Sequence, residues 1–162
     1  MLAISRPQFK KISSADLATI CDWHREHVKI NFPDSKYKRD RFYALLWNGY
    51  QKMCNEKNEI LLKLVLHYDL IGFLWLKKIF DVYKDYYYCD LHYIQIVPSY
   101  RGRGYGAMLM QKTEQWAKKN KIQEIRLGTN SENTAALNLY LNCGYKYSRI
   151  IMEKKICPHK KK

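Results

Sequence analysis

Between Ile94 and Ala107 the chain reads Ile-Gln-Ile-Val-Pro-Ser-Tyr-Arg-Gly-Arg-Gly-Tyr-Gly-Ala, a β-rich run that passes through Pro98 and a glycine-rich turn into a helix-forming stretch. At such a junction the first N–H groups of the helix lack an intrahelical acceptor and point the same way as the positive end of the helix dipole, which suits an anion such as a pyrophosphate. Gly102, Gly104 and Gly106 permit positive φ and close approach of the backbone to a ligand, while Arg101 and Arg103 add charge. Spacing excludes other phosphate loops. No Gly-Lys-Ser/Thr follows the turn, and no Gly-x-Gly-x-x-Gly with a later acidic ribose ligand is present. A plain glycine turn is the other account of this stretch.

A second group of reactive side chains lies just before the turn. If the run from Tyr86 to Val97 is a regular strand, period two puts Asp90, His92, Ile94 and Ile96 on one face, bringing a carboxylate and an imidazole to the approach of any reacting group. A β-bulge would undo that assignment.

The elements that must position these residues follow from the apolar spacing. Ser13-Ser14-Ala15-Asp16 has the form of a capping box ahead of Leu17, Ile20, Cys21, His24 and Val28, predicting a first helix that Phe32-Pro33-Asp34 ends. Phe42, Leu45, Leu46, Gly49, Tyr50 and Met53 mark a second helix, with a loop between. Two β-rich runs, Ile60 to Leu66 and Ile71 to Ile79, flank a His67-Tyr68-Asp69 turn. The third, Tyr86 to Val97, stops at Pro98. A helix from about Tyr105 to Lys119, a strand from Ile122 to Leu127, a short helix from Asn133 to Asn142 and a last strand or strand pair from Tyr145 to Ile156 complete the order. A further strand over Ala3 to Lys11 is an additional expectation. This is an α/β fold of mixed sheet with helices on its faces.

With 162 residues, 47% of them hydrophobic, the chain suits one domain, 1–162, whose basic tail 157–162 is expected to fray. No apolar leader precedes Lys10 and no run is long enough to span a bilayer, so a soluble, cytoplasmic protein without membrane contact is expected. The five cysteines form no Cys-x-x-Cys pair, which fits neither a zinc site nor a disulfide framework. A net charge of +14 invites a nucleic-acid partner. The lysines are nevertheless spread along the chain rather than gathered in a stripe, and the same charge would attract a polyanionic small molecule.

Two stretches together resemble one family. Arg101-Gly102-Arg103-Gly104-Tyr105-Gly106 is similar to the Arg/Gln-x-x-Gly-x-Gly/Ala signature of the GNAT acetyltransferases, and Asn133-Thr134-Ala135-Ala136-Leu137-Asn138-Leu139-Tyr140 with Gly144-Tyr145 resembles their Asn-x-x-Ala-x-x-x-Tyr region. The likeness covers Tyr86 to Glu153. It implies a mixed, mostly antiparallel sheet splayed at the cofactor site, with helices on both faces.

The same resemblance implies acetyl-CoA as co-substrate, no metal, and a primary amine as acceptor: a small amine, a protein N-terminus or a lysine. The pantetheine arm would lie along the backbone of Ile94, Ile96 and Val97. The pyrophosphate would be held by the amides of Gly102, Arg103, Gly104, Tyr105, Gly106 and Ala107 beside Arg101, with Asn133 contacting the pantetheine or phosphate region. Tyr140 would sit near the thioester sulfur, as general acid or as a packing residue. Asp90 falls where some members, histone acetyltransferases among them, carry a carboxylate base; Asp90, His92 and a water chain are all open as the base. Between Val28 and Arg41, Lys29, Lys36, Lys38, Arg39 and Arg41 outnumber Asp34 and Asp40, which disfavours a polycationic acceptor. A monomer or homodimer is expected. The alternative function is a basic RNA-binding or cofactor-sensing protein that keeps the fold without turnover.

Overall fold

A computed structural model describes residues 6–31, 36, 38–55, 58–152 and 154. Five strands, β1 (Gln8–Lys11), β2 (Glu59–Leu66), β3 (Asp69–Asp81), β4 (Tyr86–Ile96) and β5 (Ile125–Arg126), form one sheet in the order β1-β2-β3-β4-β5. The first four are antiparallel neighbours, and β5 runs parallel to β4. The helices are α1 (Asp16–Asn31), α2 (Arg39–Asn55), α3 (Tyr105–Lys119) and α4 (Thr134–Asn142). The expected helix break at Phe32-Pro33-Asp34 and the tail 157–162 lie outside the described residues.

Alternation along the strands sorts their side chains into two cores. Leu61, Phe73 and Trp75 face α1 and α2, meeting Leu17, Ile20, Cys21, Leu46 and Met53. Leu62, Leu64, Leu74, Leu76, Cys89 and Leu91 face α3 and α4, meeting Leu109, Met110 and Tyr140. The expected capping box forms in part: the Asp16 carboxylate reaches back to accept from the Ser13 N–H at 2.6 Å and its hydroxyl at 2.7 Å. Lys63, on the α1 side of β2, pairs with the same carboxylate at 2.8 Å.

The sheet departs from regular period two in β4. Trp75 opposes Tyr93 but Leu76 opposes Leu91, so His92 is an extra residue, a β-bulge. Its consequence corrects the shared face expected for Asp90, His92, Ile94 and Ile96. Cys89 and Leu91 before the bulge, and Ile94 and Ile96 after it, join the α3–α4 core. Asp90, between Cys89 and Leu91, is therefore turned to the opposite face. His92 also lies there, its ring edge-on to Trp75 at 4.6 Å.

The predicted strand from Ile122 to Leu127 is cut to two paired residues, Cys89 opposite Ile125 and Asp90 opposite Arg126. Beyond Asp90, β4 and β5 part. Of the last strand or strand pair expected from Tyr145 to Ile156, the described part does not form: residues 145–152 have no regular structure and leave Ile150, Ile151 and Met152 exposed, while 153, 155 and 156 lie outside the described residues. So short an outer strand offers them no ladder to join. What holds β5 is Arg126, paired with Asp81 at 2.7 Å and Glu124 at 2.6 Å, within 3.2 Å of the Tyr86 hydroxyl, and stacked over Tyr88.

Gly49 shows how closely α2 lies on the sheet, because a β-carbon there would overlap the Trp75 indole. Gly49→Val should lower stability by about 1–3 kcal/mol, the usual cost of overpacking, since no helix-propensity gain of alanine's size accompanies a β-branched residue. Thermal denaturation checks this.

Candidate active site

Where β4 leaves β5, its outer edge has no strand partner among the described residues. The Val97 N–H donates to Ile71 O on β3 at 3.0 Å. Orientation alternates along an antiparallel ladder, so the N–H and C=O groups of Ile96 and Ile94 turn the other way, toward the open edge. Arg101 Nε already donates to Ile96 O at 3.0 Å, as that direction requires. Val97 differs from what the family resemblance implied. Its N–H is used by β3 and its carbonyl accepts from Tyr100 N–H at 2.9 Å.

The turn that follows aims a helix end at this edge. A short 3₁₀ turn over Pro98–Tyr100 leads to Gly102 and Gly104, whose φ values of 72° and 81° lie in the left-handed region. Gly104 is the N-cap of α3 and supplies no capping side chain. The first-turn N–H groups at Tyr105, Gly106 and Ala107 thus have no intrahelical or side-chain acceptor. A β-carbon on Gly102 or Gly104 would meet nothing within 4 Å, so the space beside the turn is open to a ligand. Gly106 serves another purpose: a β-carbon there would come within 3.1 Å of Leu139, and its absence lets α3 lie against α4.

The opposite wall is α4. Asn133 caps it, its side-chain oxygen accepting from Ala136 N–H at 3.2 Å. At the other end the Tyr145 N–H donates to Tyr140 O and the Gly144 N–H to Leu141 O, with Gly144 at φ 84°: a Schellman motif. The Gly-Tyr pair that follows the helix therefore folds the chain back so that the rings of Tyr145 and Tyr140 lie 6.4 Å apart. Burial raises the Tyr140 phenol above its ordinary value near 10, so the hydroxyl keeps its proton at neutral pH.

These pieces enclose a cleft of about 510 Å³ lined by Ile94, Ile96, Arg101, Gly102, Gly104, Gly106, Ala107, Asn133 and Tyr140. Of the residues expected at a cofactor site, Val97, Arg103 and Tyr105 do not line it. The Arg103 guanidinium lies over the Tyr100 ring and Tyr105 packs on the α3–α4 core. Asp90 and His92 stand outside as well, joined to each other by a 3.1 Å contact between His92 Nδ1 and Asp90 Oδ2.

Two polar residues that no motif flagged do line the cleft, Glu26 from α1 and Gln95. Gln95 is 8% exposed and is held from behind, its Oε1 accepting from the Tyr93 hydroxyl at 2.7 Å. Tyr93 in turn contacts His24 Nδ1 at 2.9 Å, and that ring stacks on Phe42 at 3.6 Å. Burial of Gln95 between two apolar isoleucines was the one available sign in the sequence. Glu26 had none.

Comparison with known proteins agrees with this architecture. Two curated relatives match short stretches: an uncharacterized N-acetyltransferase of Methanocaldococcus jannaschii, 31% identical over 62 residues, and a streptothricin acetyltransferase of Escherichia coli, 33% identical over 56 residues. The matches cover 38% and 35% of this chain and only 27% and 32% of those proteins. Among solved structures, the aminoglycoside N-acetyltransferase AAC(6')-Iy in complex with CoA superposes with a TM-score of 0.74 at 18% identity, covering 97% of this chain and 99% of that one. A predicted acetyltransferase of Clostridium acetobutylicum solved with acetyl-CoA gives 0.74 at 14% identity, covering 93% and 96%. At such identities the likeness is one of fold. The model of the acetyltransferase (GNAT) family matches residues 17–145, and the chain belongs to that family.

Proposed function

We propose that the chain is a single-domain N-acetyltransferase that moves acetyl from acetyl-CoA to a primary amine by direct attack in a ternary complex. The observation that carries this is the junction of an unpaired β4 edge with an uncapped α3 N-terminus in one cleft. The first offers a ladder of hydrogen-bonding groups to an amide-bearing arm, and the second offers amides and a dipole to its diphosphate. The empty space at Gly102 and Gly104 fits such a group. Acetyl-CoA supplies the acetyl group as an activated thioester.

The chain's own residues then meet three needs. An Ile94 or Ile96 N–H on the free edge donates to the carbonyl oxygen as negative charge develops there. Tyr140, kept protonated by burial, gives its proton to the departing thiolate as the carbon–sulfur bond breaks and the carbon–nitrogen bond forms. The proton lost by the amine leaves on the α1–α2 face. There the Asp90–His92 pair acts as a unit, the carboxylate orienting the imidazole, with water carrying the proton across the gap to it. The proton taken from the amine returns to Tyr140 through solvent, so a neutral amine and the thioester give the amide and a neutral thiol with no net proton released.

Gly104→Val should abolish acetyl-CoA binding by calorimetry, because the side chain enters the open space beside the turn. The positive φ adds local strain at an exposed turn, so circular dichroism should still report the fold. For the base, Asp90→Asn and His92→Ala should each displace the acidic limb of the kcat/KM profile, and an unmoved limb in both would remove the pair from the mechanism. Tyr140→Phe keeps the ring and deletes the hydroxyl. Its single-turnover rate should fall by roughly 10²–10⁴-fold with little change in acetyl-CoA affinity, whereas a wild-type rate would make Tyr140 a packing residue.

A further inference from the structure

The cleft has one feature that the transfer chemistry does not use. Glu26 is the only carboxylate among the described residues lining it, in a wall that also includes Ile94, Gln95, Leu139 and Tyr140. Among the described residues it forms no ion pair. The neighbouring acids are taken: Asp22 pairs with Arg39 at 3.0 Å and Asp90 contacts His92 at 3.1 Å, while Asp40, at the start of α2, is not part of the lining. Cations stand close by, with Arg25 beside Glu26 in sequence and Lys29 one helical turn on, and Arg101 lines the same cleft. A single carboxylate neutralises one ammonium, and the positive charge of a chain of net charge +14 then repels a second.

We propose that Glu26 receives the acceptor's ammonium group and thereby selects amines that carry one positive charge, against diamines, polyamines and aminoglycosides. The inference rests on the acetyltransferase function proposed above and narrows its substrate class. Glu26 holds the amine at the mouth beside Tyr140, and the rest of the acceptor lies along an apolar wall or reaches toward Arg25 and Lys29. An anionic far end is favoured there, a neutral one tolerated and a cationic one repelled.

Three amines of equal chain length separate these cases: ε-aminocaproate, hexylamine and hexamethylenediamine. Each is titrated by NMR into the full-length protein saturated with CoA, and each is assayed for kcat and KM with acetyl-CoA. The expected order of affinity and of kcat/KM is ε-aminocaproate, then hexylamine, then the diamine, with the preference weakening as salt is raised. Glu26→Gln, which keeps the shape and removes the charge, should raise KM and the dissociation constant for hexylamine roughly tenfold or more, the scale of a lost hydrogen bond to a charged group. The calorimetric affinity for acetyl-CoA should not move, and Glu26→Asp should restore part of the loss. A diamine preferred over hexylamine, or unchanged amine affinity in Glu26→Gln, overturns the proposal, as does a wild-type protein that binds acetyl-CoA and none of the three amines. Failure to bind acetyl-CoA at all would instead overturn the acetyltransferase function.

Discussion

The architecture depends on the parting of β4 from β5 after a single short stretch of pairing. A sheet interior normally consumes every N–H and C=O group of its strands, and a strand that loses its neighbour exposes a row of them. Here the loss falls between two helical layers, where the freed groups face a cleft. The bulge at His92 and the Arg126 cluster act on either side of that point. The bulge resets which side chains of β4 face which core. Arg126, tied to Asp81 and Glu124, fixes the short stretch of β5 from which the two strands diverge.

The two faces of the sheet divide the work. On the α3–α4 side, what the cleft presents is almost wholly main chain: the free β4 edge, the positive-φ glycines and the first turn of α3. On the α1–α2 side, side chains take over, with Glu26, Gln95, the His24–Tyr93 contact and the Asp90–His92 pair. Tyr140, in the α3–α4 core, is anchored by the helix termination at Gly144 and Tyr145. That termination gives the second motif a physical meaning beyond the tyrosine itself. The glycine permits the left-handed turn, and the aromatic residue after it returns to pack beside Tyr140.

What was legible in the sequence was whatever obeys local rules. Gly102, Gly104 and Pro98 announced the turn, apolar spacing announced α3 and α4, and His67 to Asp69 announced the first hairpin. The bulge was not legible, because nothing in Asp90-Leu91-His92-Tyr93-Ile94 distinguishes an inserted residue from a regular one. The strand at Ile122 to Leu127 had suitable residues, but its length is decided by a partner that turns away. The final strand failed for the same reason. Glu26 was hidden more deeply: its place at the cleft depends on how α1 crosses the sheet, a tertiary fact that no spacing within α1 encodes.

The free edge of β4 has an implication for divergence. A site made of peptide groups places almost no demand on the identity of the side chains that carry them, provided the chain's path is kept. Drift along such a segment is close to silent, while the helices over the opposite face remain at liberty to change with each new acceptor. Chains can then lose nearly all letter-by-letter likeness and still keep the same path, which accords with superposition of nearly whole chains at 14% and 18% identity.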